Sequence, residues 1–256
     1  MADHLRQLID WQQPWFAPWA EVGRPAWAHV EQGQAVFSAL AAAVPPGRAI
    51  PRFVGDTALP AGTAYEAFVH ASDSVPTRDN LHDFFNGVVW CVYPRTKRHL
   101  NRLQAQAIAR DGIGARRGPL RDAITLFDEN GAVFSAPAVL QEALRARDWH
   151  GLCVTHRAHW RDARLWLFGH ALVEKLAAPR KDITAHVLCA PDGLQQAAQV
   201  DAWLVCALDA QVLATKPFSP LPVLGVPGWC AANEDPAFYA DAQVFRPRRH
   251  TVMVRP

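Results

Sequence analysis

Three segments of the sequence place ionisable or amide side chains directly beside large apolar residues. They are residues 80–86 (Asn-Leu-His-Asp-Phe-Phe-Asn), 125–131 (Thr-Leu-Phe-Asp-Glu-Asn-Gly) and 168–174 (Phe-Gly-His-Ala-Leu-Val-Glu). Polar groups of this kind are costly to bury unless they are paired, hydrogen-bonded or bound to a metal ion. A fold that buries the apolar neighbours must supply such partners, and the other two segments are the nearest source. We therefore expect the three segments to converge on one pocket.

The order of helical and extended patterns favours an α+β fold. Half of the 256 residues are apolar and a fifth are charged, which provides enough apolar material for a sizeable core. Helices and strands are mixed without the alternation that would indicate a parallel α/β sheet, so we expect mixed helices around a small sheet. Helical patterns cover residues 30–43, 80–91, 96–109, 137–147, 170–176 and 194–208.

Strand patterns cover residues 65–70, 165–168 and 183–189. In addition, the dipeptide Asn130-Gly131 stands between two apolar runs, residues 121–127 and 132–134. An Asn-Gly pair in this context predicts a β-hairpin. Asp128 and Glu129 would then lie at the end of a strand, beside the turn.

Both ends of the chain are rich in proline. Residues 1–28 hold four tryptophans, and Pro14 and Pro18 predict a short helix to about Gln12 followed by an extended arm. From Pro217 onward, proline and glycine recur among large apolar residues, so we expect an extended C-terminal tail, residues 217–256, that wraps the body. No repeat or low-complexity linker divides the sequence, and residues 1–256 are expected to form a single domain.

The sequence carries no sign of export or membrane insertion. The N-terminus lacks the apolar core of a signal peptide, and the longest apolar stretch is too short to span a bilayer. Five cysteines are scattered without the spacing of zinc ligands, which is typical of reduced thiols. We therefore expect a cytoplasmic protein.

The glycines between Gly112 and Gly118 resemble a dinucleotide fingerprint, but they follow a predicted helix and not a strand.

The spacing of histidines and carboxylates indicates a metal site. The candidate ligands are His82, Asp128, His170 and Glu174. His170 and Glu174 lie four residues apart, so one helix can offer a nitrogen and an oxygen to the same ion. A divalent ion with such ligands, whether zinc, manganese or iron, can activate a water molecule for hydrolysis. Asp83 or Glu129 would act as the general base, or would orient a ligand.

A purely structural interpretation of the same residues stays open. A carboxylate four residues from an imidazole can simply accept a hydrogen bond from it. Asp128 and Asn130 are common turn residues, and Asp83 can stabilise the start of a helix. The sequence contains no His-Glu-x-x-His motif, no paired Cys-x-x-Cys and no EF-hand loop. A domain with a buried polar network and no catalysis is therefore an alternative.

Basic residues concentrate between positions 94 and 121, where there are eight arginines and lysines and one acidic residue. With Asn86, the side chains of Arg95, Lys97 and Arg121 are candidates for substrate binding, since such groups pair with phosphate and carboxylate. These residues predict a metal-assisted hydrolase of an anionic substrate, such as a phosphorylated small molecule. The same basic block also allows a non-catalytic protein that binds an acidic partner or nucleic acid, or a solvated helix face.

Further motifs resemble one bacterial family. They are Tyr-Pro-Arg-Thr-Lys at 93–97, Pro-Leu-Pro-Val-Leu-Gly-Val-Pro-Gly-Trp at 220–229, Asn-Glu-Asp-Pro-Ala-Phe-Tyr at 233–239 and Phe-Arg-Pro-Arg-Arg at 245–249. Together with the three polar segments, they resemble a proteobacterial family known only as a domain of unknown function. The resemblance extends from about residue 50 onward. It implies a bacterial protein with one continuous domain, and it implies no activity.

Overall fold

The computed structural model describes residues 9–44, 47, 49–112 and 118–248, and within them it has the predicted α+β fold. The α-helices of these residues are, in chain order, α1 (Ala20–Glu31), α2 (Val36–Ala43), α3 (Tyr65–Ser72), α4 (Leu81–Val92), α5 (Pro94–Asp111), α6 (Pro119–Asn130), α7 (Ala138–Ala146), α8 (His170–Lys175), α9 (Ala197–Ala207) and α10 (Ala210–Ala214). The strands are β1 (Arg52–Gly55), β2 (Ser74–Thr77), β3 (Gly131–Ser135), β4 (Arg164–Leu167), β5 (Thr184–Ala190) and β6 (Ser219–Pro222).

The strands form two small sheets. One has four strands in the order β4-β3-β5-β6, in which β3 runs antiparallel to β4 and parallel to β5, and β5 runs antiparallel to β6. Every residue of the central strand β3 is buried, which is why this segment is apolar without alternation. The other sheet is the parallel pair of β1 and β2.

Helix α4 is fixed by a cap at its start and by aromatic packing along one face. The Oδ1 atom of Asn80 accepts a hydrogen bond of 2.7 Å from the backbone N–H of Asp83, as an N-cap residue does. Phe84 and Phe85 are fully buried, and Phe16 stacks on Phe85 with ring centroids 5.9 Å apart. This packing anchors the helix that carries the first polar segment.

Two glycines bring the end of α6 against the start of α8. The carbonyl oxygen of Gly131 accepts hydrogen bonds of 2.9 Å and 2.8 Å from the backbone N–H groups of Phe168 and Gly169. A Cβ atom on Gly169 would lie 2.5 Å from the backbone of Glu129 and Asn130, so a side chain there would have to push the two segments apart. As a result, the side chains at the end of α6 stand next to the first residue of α8.

The predicted hairpin around Asn130 and Gly131 is wrong. Helix α6 continues to Asn130, and Gly131 begins β3 directly. Ala123, Ile124 and Phe127 are buried at helical spacing, and this packing outweighs the local turn signal. Asp128 and Glu129 therefore lie in the last turn of a helix and not at a strand end.

Two other local predictions are also corrected. Residues 65–70, predicted as a strand, belong to α3, which packs along α5. Tyr, Phe and Val favour strands locally, but Tyr65 and Val69 lie four residues apart and share the face of a helix. The helix predicted over residues 30–43 is divided into α1 and α2 near Gly33, whose φ of 89° is incompatible with helix continuation.

The N-terminal prolines do not produce an extended arm. Pro14 begins a 3-10 helix (Pro14–Trp19), where its missing N–H is not needed, and Pro25 lies inside α1. The helix predicted to end near Gln12 lies mostly outside the described residues.

The C-terminal residues, up to position 248, are also less extended than predicted. They form β6 and the short 3-10 helices Val223–Gly225, Ala231–Glu234 and Pro236–Ala240. Tyr239 and Phe245 of this segment are buried.

Within the described ranges, none of the helices combines the length and the hydropathy that a membrane crossing would need.

Candidate metal centre and adjoining cavity

A cavity of about 630 Å³ lies beside α4, α5 and α6. The structure brings side chains from all three polar segments to its wall. Those that line it are His82, Asp83, Asn86, Thr125, Asp128, Glu129 and His170.

Two imidazole rings meet at one end of this cavity. The Nε2 atoms of His82 and His170 are 3.0 Å apart, and the rings are packed edge to face. The other ring nitrogen of each histidine faces a carboxylate. His82 Nδ1 lies 2.8 Å from Glu174 Oε2, and His170 Nδ1 lies 3.7 Å from Asp128 Oδ2. The predicted ligands His82, Asp128, His170 and Glu174 therefore form one connected cluster.

The environment sets the protonation of the two rings in opposite directions. Burial lowers the pKa of His170 to about 4, even though the nearby Asp128 carboxylate favours the charged ring. The hydrogen bond to Glu174 raises the pKa of His82 above its usual value, against a smaller opposing effect of burial. His170 is consequently neutral at pH 7, and a neutral ring has a lone pair available for a metal ion.

Glu129 completes a group that can hold a metal ion. One ligand atom from each of His82, Glu129 and His170 lies within 4.8 Å of the other two. Two nitrogens bound to one tetrahedral zinc ion are about 3.3 Å apart, given zinc–nitrogen bonds of about 2.0–2.1 Å. The observed 3.0 Å between the histidines needs only a small opening to reach that value. Glu174 is hydrogen-bonded to the His82 ring, whereas Asp128 faces Nδ1 of His170 at 3.7 Å, beyond hydrogen-bond distance. Glu129 is the third candidate ligand.

A buried lysine links this cluster to the rest of the cavity. The side chain of Lys97 is 6% exposed, and its Nζ donates to Asp128 Oδ1 at 2.5 Å and to Asn86 Oδ1 at 2.9 Å. Asn86 in turn donates from Nδ2 to the hydroxyl of Tyr65 at 3.1 Å. Burial alone would raise the pKa of Asp128, but the charge and the hydrogen bond of Lys97, with contributions from the neighbouring histidines, hold that pKa below its usual value.

The carboxylate of Asp83, one of the two general-base candidates, is hydrogen-bonded and ion-paired to Arg78. Its Oδ2 atom accepts a hydrogen bond of 2.7 Å from the backbone N–H of Arg78, and its Oδ1 atom accepts one of 2.8 Å from the Arg78 guanidinium. The contact raises the pKa of Arg78. Asp83 thus fixes the loop before α4, and the pair is electrically neutral.

The basic block does not gather at the cavity. Among the described residues that line the cavity, Lys97 is present and Arg95 and Arg121 are not. Arg95 is exposed, Arg121 is buried near the start of α6, and Arg98 forms an ion pair with Asp73. Arg116 and Arg117 lie outside the described residues.

Other cavity residues were not predicted from the sequence, among them Tyr65, Glu66 and Arg78. Tyr65 and Glu66 lie on α3, in the segment that the sequence predicted as a strand, and Arg78 is a single arginine in a loop. The helical spacing of Tyr65 and Val69 was the available signal for α3. No sequence signal connected Arg78 to Asp83 beyond their opposite charges.

The fold and the site together define an α+β protein with a candidate metal centre of two histidines and a glutamate beside a cavity. The chain belongs to DUF3025, a family of proteins of unknown function, whose model matches residues 51–249. The family membership confirms the predicted resemblance to a domain of unknown function. Neither the comparison with curated proteins nor the comparison with solved structures finds a match.

Proposed function

We propose that the protein is a metal-assisted hydrolase whose ion is bound by His82, Glu129 and His170. The observation that supports this proposal is the convergence of three ligand atoms from α4, α6 and α8 within 4.8 Å of one another. Three protein ligands leave one tetrahedral position for a water molecule, as in catalytic zinc sites. A zinc ion held by these residues would lower the pKa of that water to about 7 and so supply a nucleophile for hydrolysis at neutral pH. Zinc, manganese and iron(II) all accept imidazole and carboxylate ligands.

The surrounding carboxylates support a ligand role for the two rings. A histidine that binds a metal ion usually donates its other N–H to a carboxylate, which fixes the orientation of the ring. His82 has this arrangement with Glu174 at 2.8 Å. Asp128 is the carboxylate that faces Nδ1 of His170, at 3.7 Å, and would have to move closer to accept a hydrogen bond from it. In both cases Nε2 is the atom that remains for the ion.

Lys97 is suited to stabilise the negative charge that develops on a substrate during hydrolysis. An ammonium group has three N–H donors, and Asp128 and Asn86 accept two of them. The third is left for a substrate oxygen in the cavity that Lys97 lines. A fixed donor in a site shielded from water stabilises such an oxyanion more than it would in water.

A second candidate is a structural polar network. It is favoured by one observation: His82, His170, Glu174, Asp128 and Lys97 already satisfy much of one another's hydrogen bonding. In that case the direct contact between the two Nε2 atoms, at 3.0 Å, is a proton-mediated hydrogen bond.

Elemental analysis and calorimetric titration with zinc, manganese and iron(II) separate these two functions. The hydrolase proposal expects one ion per chain in the wild-type protein, and its loss in His82→Ala, Glu129→Gln and His170→Ala. His159→Ala and Glu142→Gln, both exposed, are matched controls that should keep the ion. If the wild-type protein binds no ion and His170→Ala lowers the melting temperature, the structural network is supported and the hydrolase proposal is rejected.

A further inference from the structure

The charges on the cavity wall favour a particular class of substrate. Of the described charged residues that line the cavity, Arg78 is paired with Asp83 and Lys97 with Asp128. The remaining charged side chains on the wall, apart from the two histidines, are three carboxylates: Asp56, Glu66 and Glu129. A divalent ion at Glu129 balances two of their three charges. The cavity therefore keeps a net negative charge even with the ion bound, and it disfavours an anionic substrate.

One of these carboxylates, Glu66, is set apart from the proposed metal centre along α5. Lys97, Asn101 and Gln104 all line the cavity from α5. Lys97 contacts the centre through Asp128, whereas the Nε2 atom of Gln104 donates to Glu66 Oε1 at 3.0 Å. Positions 97 and 104 are two helical turns apart, which is about 10 Å along the axis. Glu66 therefore lines a part of the cavity that is removed from the metal centre along α5, which is its far end in this direction.

The polar groups at this far end are incompletely paired by the protein. The side chain of Glu66 accepts a hydrogen bond from the amide of Gln104. Because this amide is neutral, the contact does not balance the negative charge of the carboxylate. Gln104 is 6% exposed, and its Oε1 atom has no hydrogen-bond partner among the described residues. The Glu66 carboxylate, which lines the cavity and is held by Gln104, is therefore an acceptor whose natural ligand is a cationic N–H donor.

We infer that the substrate carries an ammonium or similar cationic donor that is bound by Glu66, about 10 Å from the bond that is hydrolysed at the metal centre. This inference rests on the proposed function, and it replaces the anionic substrate that the basic block suggested. Glu66 is then a specificity residue. It acts on substrate binding at a distance from the reacting atoms.

Three hydroxamates with the same eight-carbon chain test this inference. Each places the metal-binding hydroxamate at one end, and the other end is an ammonium, a methyl or a carboxylate group. Their affinities for the zinc-loaded protein are measured by calorimetry with wild type, Glu66→Gln and the exposed control Glu142→Gln. The ammonium compound should bind wild type and Glu142→Gln at least about tenfold more tightly than the carboxylate compound, as expected for one charge-assisted hydrogen bond. In Glu66→Gln most of this preference should disappear.

The outcomes distinguish the two levels of the proposal. If none of the three compounds shows zinc-dependent binding, the metal centre is rejected and this inference fails with it. If all three bind with equal affinity through zinc, or if the carboxylate compound binds best, the metal centre stands and the cationic substrate is rejected. A preference for the ammonium compound that survives in Glu66→Gln would reject the role of Glu66.

Discussion

The Nε2 atoms of His82 and His170 lie 3.0 Å apart, although the two residues are 88 positions apart in the sequence. They come from α4 and α8, and each ring has its other nitrogen directed at a carboxylate. Two nitrogens that face each other in this way can share either a proton or a metal ion. The residues around the pair determine which of the two is favoured, and the following variants address them.

Glu174→Gln should weaken metal binding without abolishing it. Loss of the carboxylate behind a ligating histidine typically costs about 10–100-fold in affinity. It should also move the pH dependence, because Glu174 raises the pKa of His82 and protons compete with the ion for Nε2. Calorimetric zinc affinities between pH 6 and 8 should therefore fall less steeply with acidification in the variant than in wild type. Unchanged affinity and an unchanged pH profile, as expected for Glu142→Gln, would contradict the orienting role.

His170 should make the metal-free protein sensitive to acid. Its folded pKa of about 4 is below the value of 6.5 for an unperturbed ring, so the unfolded state takes up a proton first as the pH falls. The folded state should lose on the order of 2–3 kcal/mol of stability between pH 6.5 and 4. The stabilising bond of His82 to Glu174 is fully present throughout this window, because the pKa of His82 is raised. The pKa of Asp128 is lowered, so the stability that its charged form contributes is lost only at more acidic pH.

Urea unfolding of the chelator-treated protein at several pH values measures this effect. His170→Gln should show a shallower loss of stability between pH 6.5 and 4 than wild type. Parallel pH profiles for the two proteins would show that the His170 ring is not held neutral by the fold.

Lys97→Met should destabilise the fold because it leaves Asp128 without its cation. Removing one partner of a fully buried ion pair costs about 3–5 kcal/mol. The side chain of Asp128 is 25% exposed, so a cost of about 2 kcal/mol is expected here. Lys216→Met is the matched control, since Lys216 and Asp122 form an exposed pair worth less than about 1 kcal/mol. In a double-mutant cycle, Asp128→Asn should recover part of the loss; additive effects would mean that the two residues do not interact.

Gly169→Ala should disturb the contact between α6 and α8. The added Cβ would stand 2.5 Å from the backbone of Glu129 and Asn130, and backbone atoms cannot move aside cheaply. We expect a loss of about 1–3 kcal/mol in the free energy of unfolding, as for other overpacked sites, and weaker zinc binding. Gly118→Ala is the control, because no atom of the described residues lies within 4 Å of a Cβ atom at that position. Equal effects of the two substitutions would show that the close approach at Gly169 is not required.

The sequence was sufficient to predict that its polar segments meet, and insufficient to assign their roles. The prediction depended on the cost of burying His82, Asp128 and His170 without partners, which holds for any fold. The choice of ligand depends on the structure of residues 125–131. Because α6 is helical to its end, Asp128 and Glu129 point in directions about 100° apart, and Glu129 approaches the histidines as a third candidate ligand.

The far end of the cavity could not be predicted because it depends on a contact between two helices. Glu66 reaches Gln104 only through the packing of α3 on α5, and residues 65–70 have strand-forming side chains. Local propensity and tertiary packing disagree there, and packing decides the outcome. For the same reason the sequence could not predict which basic residues reach the cavity. Arg95 is exposed and Arg121 is buried elsewhere, and of these three residues only Lys97 lines the cavity.

Deletion of the chain from Pro217 onward should abolish cooperative folding. Strand β6 pairs with β5, and Leu221, Tyr239 and Phe245 are each at most 7% exposed, so the deletion uncovers the edge of the sheet and part of the core. Phe245→Ala tests the same packing with a single change and should cost about 3–5 kcal/mol, whereas the partly exposed Phe238→Ala should cost less. Circular dichroism melting and solubility measure both effects. A truncated protein that stays soluble and melts cooperatively would show that the domain is complete without these residues.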